Sequence, residues 1–226
     1  MINITRATLF WLVRMPLVWL IMLLQGVLLI LLWTGQINTA TWQDSLKTST
    51  EFFMLIGVPF LLQSFFQGER SSLLISRPFY RSSCLIGVWL AGILGYAFLL
   101  TLNTILSSPT LGWMAMAQVS LKMGLILIYV AVYLAWILLG WIHLQHTYST
   151  MAFALLLSTL VSSHARLASS GKGIRILEYI LPPFSDISHA FRLDDPSFSI
   201  SLLLPVISSI LVGLGLAIWR FKKVDI

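Results

Sequence analysis

The chain has 226 residues, 58% of them hydrophobic and 10% charged, with a formal net charge of +6 and a mean hydropathy of +0.91. A water-soluble domain carries about 25% charged residues, so this composition excludes an ordinary soluble fold and points to lipid. The positive balance is that of basic residues flanking membrane spans, which set orientation and meet anionic headgroups; it does not indicate nucleic-acid binding.

The N-terminal stretch up to Arg14 is amphipathic. Ile4, Leu9, Phe10, Leu12 and Val13 are apolar, while Arg6 and Arg14 can reach headgroups. It reads as a helix lying on the membrane surface, or as a cytoplasmic extension of the first span. The run Pro16–Trp33 is long enough to cross, and no A-x-A-like cleavage site follows it, so it is read as a retained first span. A hydrocarbon core of about 30 Å takes around 20 apolar residues in a helix. Five further runs approach this: Phe52–Phe66, Cys84–Leu106, Met123–Ile142, Tyr148–Val161 and Phe198–Trp219. The second and fifth runs in the chain are short and need tilt, polar flanks or a thinned bilayer. Lipid offers no partner for backbone N–H and C=O groups, so each run must be helical. The expected fold is an all-α polytopic membrane protein over 1–226. It has six transmembrane helices, an N-terminal interfacial helix, a short cytoplasmic helix between spans 2 and 3, and short outer helices between spans 5 and 6.

Lysine and arginine placement sets the orientation. With the N-terminus in the cytoplasm, Arg6, Arg14, Arg70, Arg77, Arg81, Arg220, Lys222 and Lys223 lie inside. Lys47, Lys122, Arg166, Lys172, Arg175 and Arg192 lie outside, four of them in the long connector from His164 to Ser197. Long connectors count for less, and Glu178, Asp186, Asp194 and Asp195 offset these charges. Both termini are therefore expected in the cytoplasm. Within the long connector, Ile174, Leu177, Ile180 and Leu181 share one helical face, and Pro182-Pro183 is expected to stop that helix.

The spans carry almost no charge, which argues against a proton-coupled transporter or a cation channel. They do carry mild polar groups: Gln25, Gln63, Ser64, Tyr96, Thr101, Asn103, Thr104, Tyr129 and Tyr133. Such groups either join helices or line the path of an amphipathic substrate; Gln25, Gln63, Tyr96, Asn103, Tyr129 and Tyr133 are the candidate path. Gly92, Gly95, Gly213 and Gly215 allow close helix approach. His143 and His146 stand three apart, as on one helix face, and could ligate a metal or haem iron; an interfacial pair is the commoner case. The single cysteine, Cys84, excludes a disulfide within the chain. No metal site and no catalytic constellation is read from the sequence. "SSGKGIR" around Lys172 lacks the glycine and Ser/Thr spacing of a P-loop, so ATP is not expected to bind this chain.

The connector "GERSSLLISRPFYRSS" is unusually rich. Leu73 and Leu74 give a short helix an apolar face, and Pro78 ends it by pushing Arg77 from α geometry. Phe79 and Tyr80 follow, rimmed by Arg70, Arg77 and Arg81, and "SSC" is a capping start for the third span. Aromatics and arginine are the types enriched at binding hot spots; the alternative is a basic anchor on anionic headgroups.

"LLISRPFYRSSCLIGVWLAG" resembles the segment after the second span in permease subunits of ATP-binding-cassette transporters, the type-two export class. Glu69, Leu73, Leu74, Ser76, Arg77, Pro78, Arg81, Leu85 and Gly87 match that pattern, and the ending "AIWRFKKVDI" resembles the family's closing residues. The chain departs at Ser71-Ser72, where Gly-Thr-Leu is frequent, and at Val88, where a lysine is common. The resemblance implies a coupling helix gripped by a separate ATPase. Leu73, Leu74, Phe79 and Tyr80 would be its buried anchors, and Glu69, Arg70, Arg77, Pro78 and Arg81 would surround them. It implies two ATPase subunits, which hold ATP and Mg, and a second permease copy. It places the chain in the cytoplasmic (inner) membrane as an exporter of a hydrophobic or amphipathic substrate, without enzymatic activity or cofactor of its own. A haem-exporter-like permease of cytochrome c maturation and a membrane assembly or scaffold protein are the alternatives.

Overall fold

An unbroken apolar run has only one way to satisfy its backbone in lipid, and α1 (Pro16–Trp33) takes it. Proline opens this helix, where its missing N–H costs nothing. Gly35, with φ of 71°, closes it; the Gly35, Gln36 and Ile37 amides fold back onto the Leu31 and Leu32 carbonyls. The computed structural model describes residues 5, 8–9, 14, 16–66, 81–111, 113–167, 182–184, 187, 190–191 and 200–223. Among these, all regular structure is helical.

After α1 come α2 (Thr39–Phe66), α3 (Arg81–Ser107), α4 (Trp113–Leu144), α5 (Thr147–Leu167) and α6 (Ile200–Lys223). Four of the described helices are long and apolar enough to cross a membrane: α2, α3, α4 and α6. The helix on the first expected run keeps that run's bounds, whereas the helices on the others are longer than their apolar runs; α1 and α5 fall among the shorter apolar helices. α2 begins at Thr39, not Phe52, because Asn38 caps it: its side chain accepts from the Thr41 N–H at 2.8 Å. The polar half of α2 then buries Trp42, Leu46 and Thr50 at four-residue spacing. α4 starts ten residues ahead of Met123 and buries Val119 on the way in. α3 already includes Arg81, so Ser82 and Ser83 sit inside its first turn and do not cap it.

α2 widens into a π turn at Phe53–Gly57, where the Val58 N–H reaches back to the Phe53 carbonyl. Pro59 lies just beyond. It has no N–H to return to Leu55, and its ring crowds that turn; the wider turn absorbs both problems.

α4 is the hub. Its most apolar stretch is 78% buried, against 22–39% in the other three long helices. Trp89 of α3 donates to the Ala131 carbonyl at 2.9 Å, and Tyr133 donates to the Ala154 carbonyl of α5 at 3.2 Å. Trp136 donates to the Ser209 Oγ of α6 at 3.0 Å. Two glycines make room for large neighbours. A Cβ on Gly92 would lie 2.7 Å from Leu134 Cδ1, and one on Gly140 would lie 2.4 Å from Phe153 Cδ1. Gly213 is less tight, a Cβ there standing 3.3 Å from Trp136 and 3.4 Å from the Ala135 backbone, whereas Gly215 has open space.

The helices alternate in direction. At one end Trp33 donates to the Leu106 carbonyl at 3.0 Å, and α2 and α4 begin. At the other, Phe66 stacks on Trp141 at 6.3 Å and meets Phe221 at 6.0 Å. The ends of α2, α4 and α6 are thereby brought together. The long connector returns to the first end: Phe184, Ile187 and Phe191 are buried, with Phe184 against Tyr129 and Tyr133. Pro182 and Pro183 are themselves non-helical. The Pro183 carbonyl accepts from the Ile187 amide at 3.0 Å, so a helical turn opens after them. The expected helix face Ile174, Leu177, Ile180 and Leu181 lies outside the described residues.

Candidate functional site

Three of the six candidate path residues meet in one place. Asn103 Nδ2 donates to Gln25 Oε1 at 2.8 Å, and Gln25 Nε2 donates to the Tyr96 hydroxyl at 3.4 Å. The Tyr96 hydroxyl in turn bonds Thr50 Oγ1. Thr50 has one hydroxyl proton, and it goes to the Leu46 carbonyl at 2.7 Å. Tyr96 must therefore donate to Thr50, and the whole array runs one way, from Asn103 through Gln25 and Tyr96 to Thr50 and the α2 backbone. The four side chains are buried and come from α1, α2 and α3. Each polar group has a partner, as a membrane interior demands.

Gln25→Leu removes the middle of this chain. In membranes a single such bond contributes about 0.6 to 1.7 kcal/mol. Two are lost, so the variant is expected to lose roughly 1–3 kcal/mol in a detergent unfolding titration. Gln25→Glu, which keeps the acceptor, is expected to lose less while its carboxyl stays protonated.

The other candidate path residues lie elsewhere. Gln63 accepts from the Thr147 hydroxyl and so ties α2 to α5. Tyr129 and Tyr133 stack at 5.5 Å and face Phe184. None of these three joins the Gln25 group. Thr50 is the member that sequence reasoning missed; it lies in a polar stretch that an apolar scan passes over.

Against this polar array lies an apolar cleft of about 560 Å³ between α1, α2 and α3. Tyr96 belongs to both: its ring faces the cleft and stacks on Phe53 at 6.4 Å, while its hydroxyl is tied to Thr50 and Gln25. The π turn supplies Phe53 and Met54 to the wall. Thr8 and Leu9 of the N-terminal segment also line the cleft. Thr8 is buried, and Leu9 Cδ2 lies 3.7 Å from where a Gly95 Cβ would stand. The missing side chain of Gly95 leaves room for Leu9 against α3.

His143 and His146 do not share a helix face. α4 ends at Leu144, Gln145 turns the chain with φ of 49°, and His146 precedes α5, its ring against Tyr148 at 5.6 Å. Among the described residues no group of three or more metal-ligating side chains converges. Cys84 is buried.

Charge separates by end. Arg220, Lys222 and Lys223 close α6 beside Phe66 and Trp141. At the opposite end, Lys47 and Lys122 both sit over the Phe191 ring, at 5.4 and 5.5 Å, with Glu51 bound to Lys47 at 3.6 Å. Of the candidate ATPase contacts, only Arg81 falls within the described backbone; Glu69, Arg70, Leu73, Leu74, Arg77, Pro78, Phe79 and Tyr80 lie outside it.

No family model, curated protein or solved structure matches the chain. Its own residues make it an α-helical membrane protein.

Proposed function

We propose that the chain is the membrane-spanning permease subunit of an ATP-binding-cassette exporter. In this reading all six helices cross the cytoplasmic membrane, with both termini inside, and two copies assemble with two ATPase subunits. ATP and Mg bind the ATPases, and the chain itself carries out no chemistry. The cargo is hydrophobic or amphipathic, in keeping with the uncharged spans.

One observation carries the reading. The connector 67–80 leaves α2 and enters α3 at the end of the bundle where Phe66, Trp141 and Phe221 converge and where α6 ends in Arg220, Lys222 and Lys223. The segment with the motif resemblance and the basic terminus thus share one end. That is the arrangement a cytoplasmic ATPase needs if it is to push on the α2–α3 link. A rigid path follows from the link into the bundle, because α2 and α3 both pack on α4.

The test is sidedness. In a Cys84→Ala background, a cysteine placed at Ser82 is expected to react with a membrane-impermeant maleimide in inside-out vesicles and not in intact cells. Labelling in intact cells would put the α2–α3 link outside and end this reading.

A further inference from the structure

From the cleft between α1, α2 and α3 we infer a binding site for one acyl chain of a bilayer phospholipid. The wall is hydrocarbon and aromatic. Among its described lining residues Thr8, Trp19 and Tyr96 carry a polar side-chain group, and the Tyr96 hydroxyl is consumed by Thr50 and Gln25. No charged side chain is among its described lining residues, so among these a headgroup, a peptide with ionised groups or an inorganic ion has nothing to recognise.

The mouth fixes the source of the occupant. Trp19, Leu94 and Phe98 belong to the cleft and are also among the most exposed large apolar residues, at 55%, 51% and 64%. They continue the outward apolar faces of α1 and α3, on which Leu20, Leu23 and Ile105 stand exposed. The cleft therefore opens sideways towards lipid, where acyl chains are the solvent. Its volume of about 560 Å³ lies within the usual range of small-ligand pockets, roughly 300–1,000 Å³. An aliphatic group already lies there: Leu9 of the N-terminal segment sits over Gly95. An acyl chain extends the same contact along the groove, past the π turn of α2. The site rests on membrane embedding and not on an ATPase partner, so either reading can fail while the other stands.

The experiment uses the full-length protein in nanodiscs with a phospholipid carrying a diazirine midway along one acyl chain. After photolysis, adducts are mapped by peptide mass spectrometry. Adducts are expected on the half-buried wall residues Phe53 and Phe65, besides the exposed Leu211 of α6. Gly95→Leu fills the cleft. It is expected to cut the Phe53 and Phe65 adducts about tenfold, the loss for excluding roughly two methylenes, and to leave Leu211 unchanged. Gly95→Ala adds one methyl at ordinary contact distance from Leu9 and is expected to label as the parent does. If Gly95→Leu fails to fold, the parent and Gly95→Ala maps decide. Absence of adducts at Phe53 and Phe65, labelling there that Gly95→Leu does not reduce, or links between two copies of the chain in place of lipid adducts would overturn the site.

Discussion

Trp136→Ala is expected to be the most damaging single substitution in the bundle, lowering stability by about 3–5 kcal/mol. Trp136 stands on the hub helix α4 and reaches α6. Its ring lies against Gly213, where a Cβ would be 3.3 Å away, and its N–H bonds the buried Ser209. No hydrophobic force drives helices together within lipid, so close packing of this kind carries the association. Truncation leaves a cavity that Gly213 has no side chain to fill, and it leaves Ser209 without its indole donor. Trp136→Phe separates the two terms, since it keeps most of the ring and loses only the hydrogen bond, at about 0.6–1.7 kcal/mol. Both are measured by unfolding in mixed detergent. Equal losses for the two variants would show that packing at Gly213 contributes nothing.

On the proposed exporter reading, Phe79→Ala combined with Tyr80→Ala is expected to free the chain from an ATPase partner while leaving it in the membrane. A hot-spot aromatic contributes at least about 2 kcal/mol, so affinity should fall roughly 30-fold or more. The comparison is co-purification of the two subunits, with membrane yield and thermal unfolding of the permease as controls. Arg77→Ala is expected to act less strongly, as a rim charge affects encounter more than residence. An unchanged complex with intact coupled transport would remove Phe79 and Tyr80 from the contact.

How much of this was legible depended on whether hydrophobicity alone decided the matter. It did for α1, which is apolar but for Gln25 and whose bounds Pro16–Trp33 the structure keeps. It did not for α2. The stretch "TATWQDSLKTSTEF" is too polar to register as a span, yet Asn38 starts a helix and Trp42 and Leu46 anchor it. The same polarity hid Thr50 and so the acceptor end of the Gln25 array. Gln25, Tyr96 and Asn103 were conspicuous as polar groups in apolar runs, but their partners depend on the crossing of three helices, which no local pattern encodes. Gln63 shows the converse: it is equally conspicuous, and it serves a separate junction with Thr147. Gly140 went unnoticed because a glycine's value lies in its neighbour, and Phe153 comes from the next helix. The histidine pair misled because spacing assumes an unbroken helix, and Gln145 breaks it.

The central position of α4 also bears on how the chain is made. Its apolar stretch, with a mean hydropathy of 2.5, is the most hydrophobic of the four long helices and can partition from the translocation machinery unaided. α5 does so less readily, since it opens on the polar residues Thr147, Ser149 and Thr150. By the time α5 emerges during synthesis, Gln63 and Tyr133 are already lodged in the bilayer and ready to receive Thr147 and the Ala154 carbonyl. α5 therefore finds its polar partners on helices made before it, and a nascent chain deprived of α4 would lack the Tyr133 hydroxyl that meets the Ala154 carbonyl.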